Sequence, residues 1–471
     1  MALHIKNKFA RLDPGPDMTK GSIVAHLIWF SLPLLAGNLF QQLYNTVDAW
    51  VVGNFVSNEA FSAVGTVGPI INMLIGFFLG FSSGAGIVIS QYYGARRYDK
   101  VHDTLHTAIV MTFVLAVILS VAGILLIPLM LDLMKTPEEV VPESTKYLTV
   151  YFAGMVGLML YNMGSGILRA VGDSRRPFYF LVVSAVINTV LDLLFVCVFG
   201  MGVEGVAYAT IIAQGVSAVL VIVSLWKSDT CVVLHFKDLR IHPQMLAKIV
   251  KIGIPSAIQP AITGFSNVFV QSYINFFGAD CMGGWTAYSK IDQFVLLPMQ
   301  SVSIASTTFV GQNLGGGNVK RAKKGISYAL LMSFVSTFVL MLPLLVFAPS
   351  MVEFFNDKRE VVTFGTDFLR FMMPCYLICC INQVYTAALR GAGNSRTPMF
   401  IMLFSYVLFR QIYLYIMSHY LVNRPIPIAL GYPAGWAVCS LLIFFYYRKA
   451  DLARDCVVDS TAATETEAAA G

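Results

Sequence analysis

Asp48 and Asp192 stand inside long apolar stretches, where a carboxylate is costly to keep. Each closes a polar stripe. Asn38, Gln41, Gln42, Asn45 and Asp48 line one face of a helix with about 3.6 residues per turn. Ser184, Asn188 and Asp192 follow one another at single-turn spacing. If the first stretch runs outward from Ile28, Asp48 is 20 residues along it, roughly 30 Å. Tilt and a bend near Pro33 bring it toward the outer third of a bilayer. Asp192 is 15 residues beyond Pro177, roughly 22 Å up. Thr210 lies roughly 10 Å below the outer surface on a stretch entering at Val203. Tyr147 and Tyr151 start from the same side. Two carboxylates at one level of a low-dielectric interior cannot both stay ionised without a counter-charge. A proton supplies it, and so does a sodium ion on the same oxygens with Asn188 and Thr210. A structural pair capped by amides and hydroxyls would use the same atoms, and both readings stay open at this point.

The other half of the chain has different chemistry. A polar face of Gln259, Thr263, Ser266, Asn267 and Gln271 lines one stretch, and the charges are Lys290, Asp292 and Arg410. Arg410 is 12 residues above Pro398 and Asp292 is seven below Trp285, so both fall in the outer half. An ion pair between them and contact with a substrate are both open to them. Cation binding is therefore expected in the first half. The substrate cavity is expected to draw on Gln41, Asn45, Gln259, Asn267, Lys290, Asp292 and Arg410.

These residues are carried by twelve stretches long enough to cross a bilayer, which takes about 20 apolar residues. The first six are Ile28 to Val52, Ser62 to Tyr92, Leu105 to Leu133, Lys146 to Leu168, Pro177 to Phe199 and Val203 to Trp226. The next six are Lys248 to Phe277, Trp285 to Val310, Ile326 to Phe347, Asp367 to Leu389, Pro398 to Tyr420 and Ile426 to Tyr447. The chain writes one six-span unit twice. Arg169-Ala170-Val171-Gly172-Asp173-Ser174-Arg175-Arg176-Pro177 returns as Arg390-Gly391-Ala392-Gly393-Asn394-Ser395-Arg396-Thr397-Pro398, an offset of 221 residues (390 minus 169). Gln91 and Gly94 return as Gln312 and Gly315, and Leu32-Pro33 returns as Ile254-Pro255. Both repeats start on the same side, which makes them parallel, with substrate handled between them in the manner of repeat-built transporters. In the long motif, glycine and the pre-proline residue end one helix, and proline fits the first turn of the next.

Composition agrees. The chain is 57% hydrophobic, 12% charged and has a mean hydropathy of +0.70, against about 25% charged residues in soluble domains. The net charge of +6 is not a nucleic-acid footprint, because 24 of the 32 Lys and Arg fall in alternating loops on one side. That bias puts both termini in the cytoplasm of a cell-membrane protein. The expected layout is a cytoplasmic segment 1–25, a first lobe 26–226, a linker 227–247, a second lobe 248–449 and a disordered tail 450–471. The eight cysteines have no disulfide-type spacing. Cys375 and Cys379 share a helical face and read as apolar packing. His102 and His106 are spaced i, i+4 at a helix entrance beside Arg97 and Lys100, and no metal is assigned there. No phosphate-binding loop of the Gly-x-x-x-x-Gly-Lys-Ser/Thr type is present, so ATP-driven transport is not supported, and no enzyme activity or cofactor is expected.

From Lys20 to Lys449 the sequence resembles the multidrug and toxic compound extrusion (MATE) family, prokaryotic type. The resemblance rests on Leu32-Pro33, on Val47-Asp48-Ala49-Trp50-Val51-Val52-Gly53 and on the Gln91/Gly94 turn. It rests also on Leu168-Arg169-Ala170-Val171-Gly172-Asp173 and on Gly202 through Thr210. It implies an all-α integral membrane protein of twelve transmembrane helices, with two six-helix lobes in a V. It implies export of organic compounds, often amphipathic cations, against an inward flow of protons or sodium. It also implies a first-lobe cation site at Asp48, Asn188, Asp192, Thr210 and Tyr147. Membrane lipid is the expected surrounding and a monomer the expected state. An exporter of a specific metabolite or a flippase for lipid-linked precursors on the same fold is the alternative. The flippase would line its cavity with several basic residues, and Lys290 and Arg410 alone qualify here.

Overall fold

A computed structural model describes residues 17–458 other than 57 and 229, with side chains other than those at 45, 49, 50, 53, 58–62, 64–66, 69 and 72. Asn45's side chain and the outer parts of both terminal segments thus lie outside the described residues. The described chain is helical throughout. Eleven helices are long and apolar enough to cross a membrane, or twelve when a bent pair counts as one span.

The first repeat contains α1 (Ile23–Phe55), α2 (Asn58–Gly94), α3 (Tyr98–Leu133), α4 (Val141–Ala153), α5 (Met155–Ala170), α6 (Arg175–Leu193) and α7 (Gly202–Trp226). The second contains α8 (Pro243–Asn275), α9 (Ala279–Gly315), α10 (Val319–Val346), the short α11 (Ala348–Glu353), α12 (Arg359–Met372) and α13 (Tyr376–Gly391). It continues with α14 (Arg396–Met402), α15 (Arg410–Ile416), α16 (Pro425–Ala429) and α17 (Gly431–Lys449).

The chain forms two compact units, one built on Leu32–Gly253 and the other on Met18–Ser31 with Ile254 onward. The boundaries fall inside α1 and α8, one residue before Pro33 and one before Pro255 reach the chain, rather than in loops. A proline inside a helix removes one backbone bond and loosens the axis at that point. Met18 is buried in the second unit, its N–H donating to Gln312 Oε1 at 3.1 Å and its carbonyl accepting from Arg321. The expected tail disorder does not extend over its described part, where Leu452 is buried and Asn394 Nδ2 donates to Asp455 at 3.0 Å.

The repeated motif ends its helix in the same way twice. Gly172 and Gly393 take φ of 94° and 102°, a conformation that glycine adopts freely. The following N–H of Asp173 returns to Leu168 O at 3.0 Å, and that of Asn394 to Leu389 O at 2.9 Å. Asp173 Oδ1 then accepts the N–H groups of Arg175 and Arg176 at the start of α6, and Asn394 Oδ1 that of Thr397 at the start of α14.

Close crossings hold each unit together, since lipid gives helices no hydrophobic reason to associate. In the first unit a Cβ on Gly86 would meet Gly166 O at 3.3 Å. At the corresponding crossing of the second, Thr307 Oγ1 donates to Ala387 O at 3.1 Å. The fourth span, expected as one helix, bends by 49° at Gly154. A Cβ there would meet Ile211 at 2.2 Å, so only glycine lets α7 press into the break. The tenth span interrupts its α-helix at the equivalent place, in the 3₁₀ turn Met373–Cys375. None of the eight cysteines is bridged.

Candidate functional site

The first-unit carboxyls come together. Asp48 on α1 and Asp192 on α6 face each other and interact directly. The Tyr147 phenol on α4 lies within electrostatic reach of both. Asp192 is fully buried and Asn188, one turn earlier, is 2% exposed. Asp48 Oδ1, both Asp192 oxygens and both polar atoms of the Asn188 side chain are buried without a hydrogen-bond partner. Buried polar atoms without partners are uncommon, because each forfeits its hydration. Four of these five atoms are oxygens, the donor type a proton or a hard cation takes. Thr210 on α7 gives its hydroxyl hydrogen to Val206 O at 2.9 Å, leaving only its oxygen lone pairs for anything outside its own helix.

The backbone around the pair is specialised. Immediately after α6 the chain turns into a π-helix, Leu194–Val198, beginning two residues beyond Asp192. Such insertions occur often at functional sites. Tyr147 and Tyr151 stack with centroids 6.3 Å apart on the short helix that stops at Gly154. The break thus sets the angle at which the phenols are presented. Tyr44 was not singled out by the sequence reading. It lies one turn before Asp48, is bonded to Gln41 and feels the Asp48 charge. Its i, i+4 spacing to Asp48 is the signal that could have found it.

The second-unit candidates separate into two groups. Arg410 is fully buried and follows a π-helix, Leu403–Phe409. Its guanidinium lies over the rings of Tyr406 and Tyr432, 4.8 and 4.5 Å from their centroids. Nη1 donates to Ser266 Oγ at 3.1 Å and to Asn267 Oδ1 at 3.4 Å. Ser266 in turn donates to the Tyr406 carbonyl. A Cβ on Gly435 would meet Arg410 Nε at 3.1 Å, so the glycine leaves room for the guanidinium. Asp292 does not pair with Arg410. Among the described residues no ion pair joins them; Asp292 is held instead by the hydroxyls of Tyr288 and Tyr376, which are 2.9 Å apart. Tyr432 feels both charges and sits electrically between them. The ion pair that the sequence left open does not form, because depth along a helix sets a level in the membrane, not a direction around the helix.

Gln259 is committed to its own unit, Nε2 donating to Ser395 O at 3.2 Å beside a Ser256–Ser395 hydroxyl bond of 3.0 Å. Lys290 is exposed on α9. Gln41 joins Tyr44 on the first-unit stripe.

The family sequence model for MatE matches this chain twice, over residues 33–194 and 255–416. The two matched segments begin 222 residues apart (255 minus 33), the spacing of the repeat. The chain is 29% identical over 439 residues to the probable multidrug resistance protein YoeA of Bacillus subtilis, covering 91% of this chain and 94% of that one. It is 28% identical to YpnP of the same organism, another probable multidrug resistance protein, over 92% and 96% of the two chains. A solved structure described as the outward-facing conformation of a multidrug resistance MATE family transporter superposes with a TM-score of 0.86. It covers 92% of this chain and 96% of that one at 23% identity, which speaks to the fold. The doubled match spans well over half of the sequence, and this multi-pass membrane protein belongs to the MatE family of transporters.

Proposed function

We propose that this protein is a secondary active exporter of organic compounds, driven by the inward flow of a proton or a sodium ion bound at Asp48, Asn188, Asp192 and Tyr147. The observation that carries the reading is the cluster of buried oxygens without partners on Asp48, Asn188 and Asp192. Two facing carboxyls in a dry interior call for a positive charge, and its arrival or departure changes what the unit costs to close. A ligand shifts a conformational equilibrium only by its differential affinity for the two states, and neutralisation of the pair supplies such a difference. Thr210 adds an oxygen from the neighbouring helix. The names of the relatives support multidrug compounds as the class carried. Amphipathic organic cations suit interiors rich in Met, Phe and Tyr. Gln41, Asn45, Asn267, Lys290, Asp292 and Arg410 are the residues proposed to shape that route.

The test is efflux of a fluorescent organic cation from proteoliposomes with an imposed pH or sodium gradient. One of the two gradients should drive efflux, and Asp192→Asn should reduce the driven rate by about 100-fold while the protein still inserts. Efflux that ignores both gradients would overturn the coupling.

We assign both termini and the 228–244 connection to the cytoplasmic side of the cell membrane, on the one-sided distribution of Lys and Arg. Single-cysteine variants in the Glu138 to Glu143 loop should react with an impermeant reagent added to intact cells. Reaction of the Lys320 to Lys324 loop under those conditions would reverse the assignment.

A further inference from the structure

The connection between the repeats folds back onto the first unit. Cys231, Val232 and Leu234 are buried, and a 3₁₀ turn, Phe236–Asp238, follows them. Two bonds pin this segment to the start of α3. The His235 N–H donates to His106 Nε2 at 3.0 Å, and the His242 N–H donates to Thr107 Oγ1 at 3.0 Å. The 36 residues of α3 span roughly 54 Å, against about 30 Å of hydrocarbon. Its first turns, which carry His102 and His106, therefore have length to spare beyond the apolar layer.

Folding back brings together residues far apart in sequence. One donor atom from each of His102, His106, His235 and Asp238 lies within 4.8 Å of the other three. His102 Nε2 is 3.6 Å from Asp238 Oδ2, and the His102 and His106 ring centroids are 4.0 Å apart. His106 Nε2 faces both the N–H and the carbonyl of His235, at 3.0 and 3.1 Å, and accepts the N–H in the tautomer that leaves the proton on Nδ1. Its Nδ1 carries the proton and donates to the His102 carbonyl at 2.8 Å. Metal-ligating histidines are oriented by that same Nδ1–H to carbonyl bond. His235 Nδ1 is buried and has no hydrogen-bond partner. The nearby Asp103 is engaged elsewhere, 3.2 Å from Lys100 and 3.5 Å from His242.

We infer that His102, His106, His235 and Asp238 form a binding site for a divalent transition-metal ion of the zinc type. Three imidazoles and one carboxylate make a four-ligand set of the N and O donors such ions take. Bonds of about 2.0–2.1 Å around a tetrahedral ion place the donors roughly 3.4 Å apart. The His102–Asp238 separation is close to that already. The remaining donors close in by about 1 Å, through a short turn on which Asp238 is exposed and free to adjust. His106 exchanges the His235 amide for the ion at Nε2, and His235 gains a partner within the set. The ion would clip the connection to α3, because binding to a set drawn from two segments stabilises their juxtaposition.

Full-length untagged protein, stripped with a chelator, is titrated with Zn²⁺ by calorimetry and with Co²⁺ by visible absorption. One equivalent should bind, and Co²⁺ should develop the intense d–d bands of a tetrahedral site. Asp238→Asn, at an exposed position that tolerates the change, and His235→Ala should each weaken binding about tenfold or more. His242→Ala, next to the set but outside it, should leave the affinity unchanged. Absence of a saturable equivalent, or one that survives both ligand substitutions, would overturn the site. So would an equivalent lost with His242→Ala alone.

Discussion

The interior of the first unit sets two carboxyls against each other, whereas the interior of the second sets each charge among tyrosines. Asp48 and Asp192 lie against each other, and five buried polar atoms of the cluster, counting Asn188, have no further partner. Arg410 has two hydroxyl or amide partners and two aromatic faces, and Asp292 has two phenol hydroxyls, which leaves one unpartnered buried atom on each, Arg410 Nε and Asp292 Oδ1. Yet the two units share their scaffold, including the glycine turn, the break in the fourth span and the close helix crossings. At the offset of 221, Asp192 corresponds to Tyr413 and Arg410 to Thr189. Duplication kept the helices and exchanged the chemistry between them. A charge cluster with open valences is suited to take up and release an ion. A charge enclosed by fixed donors and ring faces is suited to hold packing in one arrangement.

The widest separation between the units should come from the Asp48→Asn, Asp192→Asn double variant. It removes the charge that an ion would neutralise, so gradient-driven efflux should fall to background, a loss of 100-fold or more. Thermal stability in detergent should hold or rise. Replacing buried like charges by neutral isosteres removes a desolvation cost, and the amides can bond to each other and to Asn188. Driven transport at the wild-type rate would return both residues to a packing role and erase the contrast with the second unit.

Much of this was legible in the sequence because the membrane simplifies the reading. Twelve apolar stretches and the 221-residue repeat follow from length and spacing alone, and the shared level of Asp48 and Asp192 follows from counting residues along helices of known rise. What escaped were features that depend on direction or on tertiary contacts. Tyr288, Tyr376 and Tyr432 look like ordinary apolar-span aromatics until their hydroxyls and faces are seen around Asp292 and Arg410. The bend at Gly154 depends on Ile211 of another helix. The division of α1 and α8 between units has only a proline to announce it. The 228–244 connection reads as a solvated loop, so His235 and Asp238 gave no sign of returning to His102 and His106.

The converse change is smaller and tests the other half of the comparison. Arg410→Met keeps most of the aliphatic bulk but deletes the guanidinium. Ser266 and Asn267 then lose a donor in a buried site, and two aromatic faces lose a cation. Breaking such a set should cost on the order of 2–4 kcal/mol, offset in part because a buried cation no longer needs to be desolvated. For a unit of this size the loss corresponds to a fall in Tm of roughly 5–10 °C, read by fluorescence-detected unfolding in detergent. Ion coupling should survive, because the Asp48–Asp192 cluster lies wholly in the other unit. At a temperature where the variant is folded, the ratio of driven to undriven efflux should match wild type. A variant as stable as wild type that has lost its response to the gradient would mean that Arg410 acts in coupling. The division of labour between an open cluster and an enclosed one would then fail on the side of the second unit.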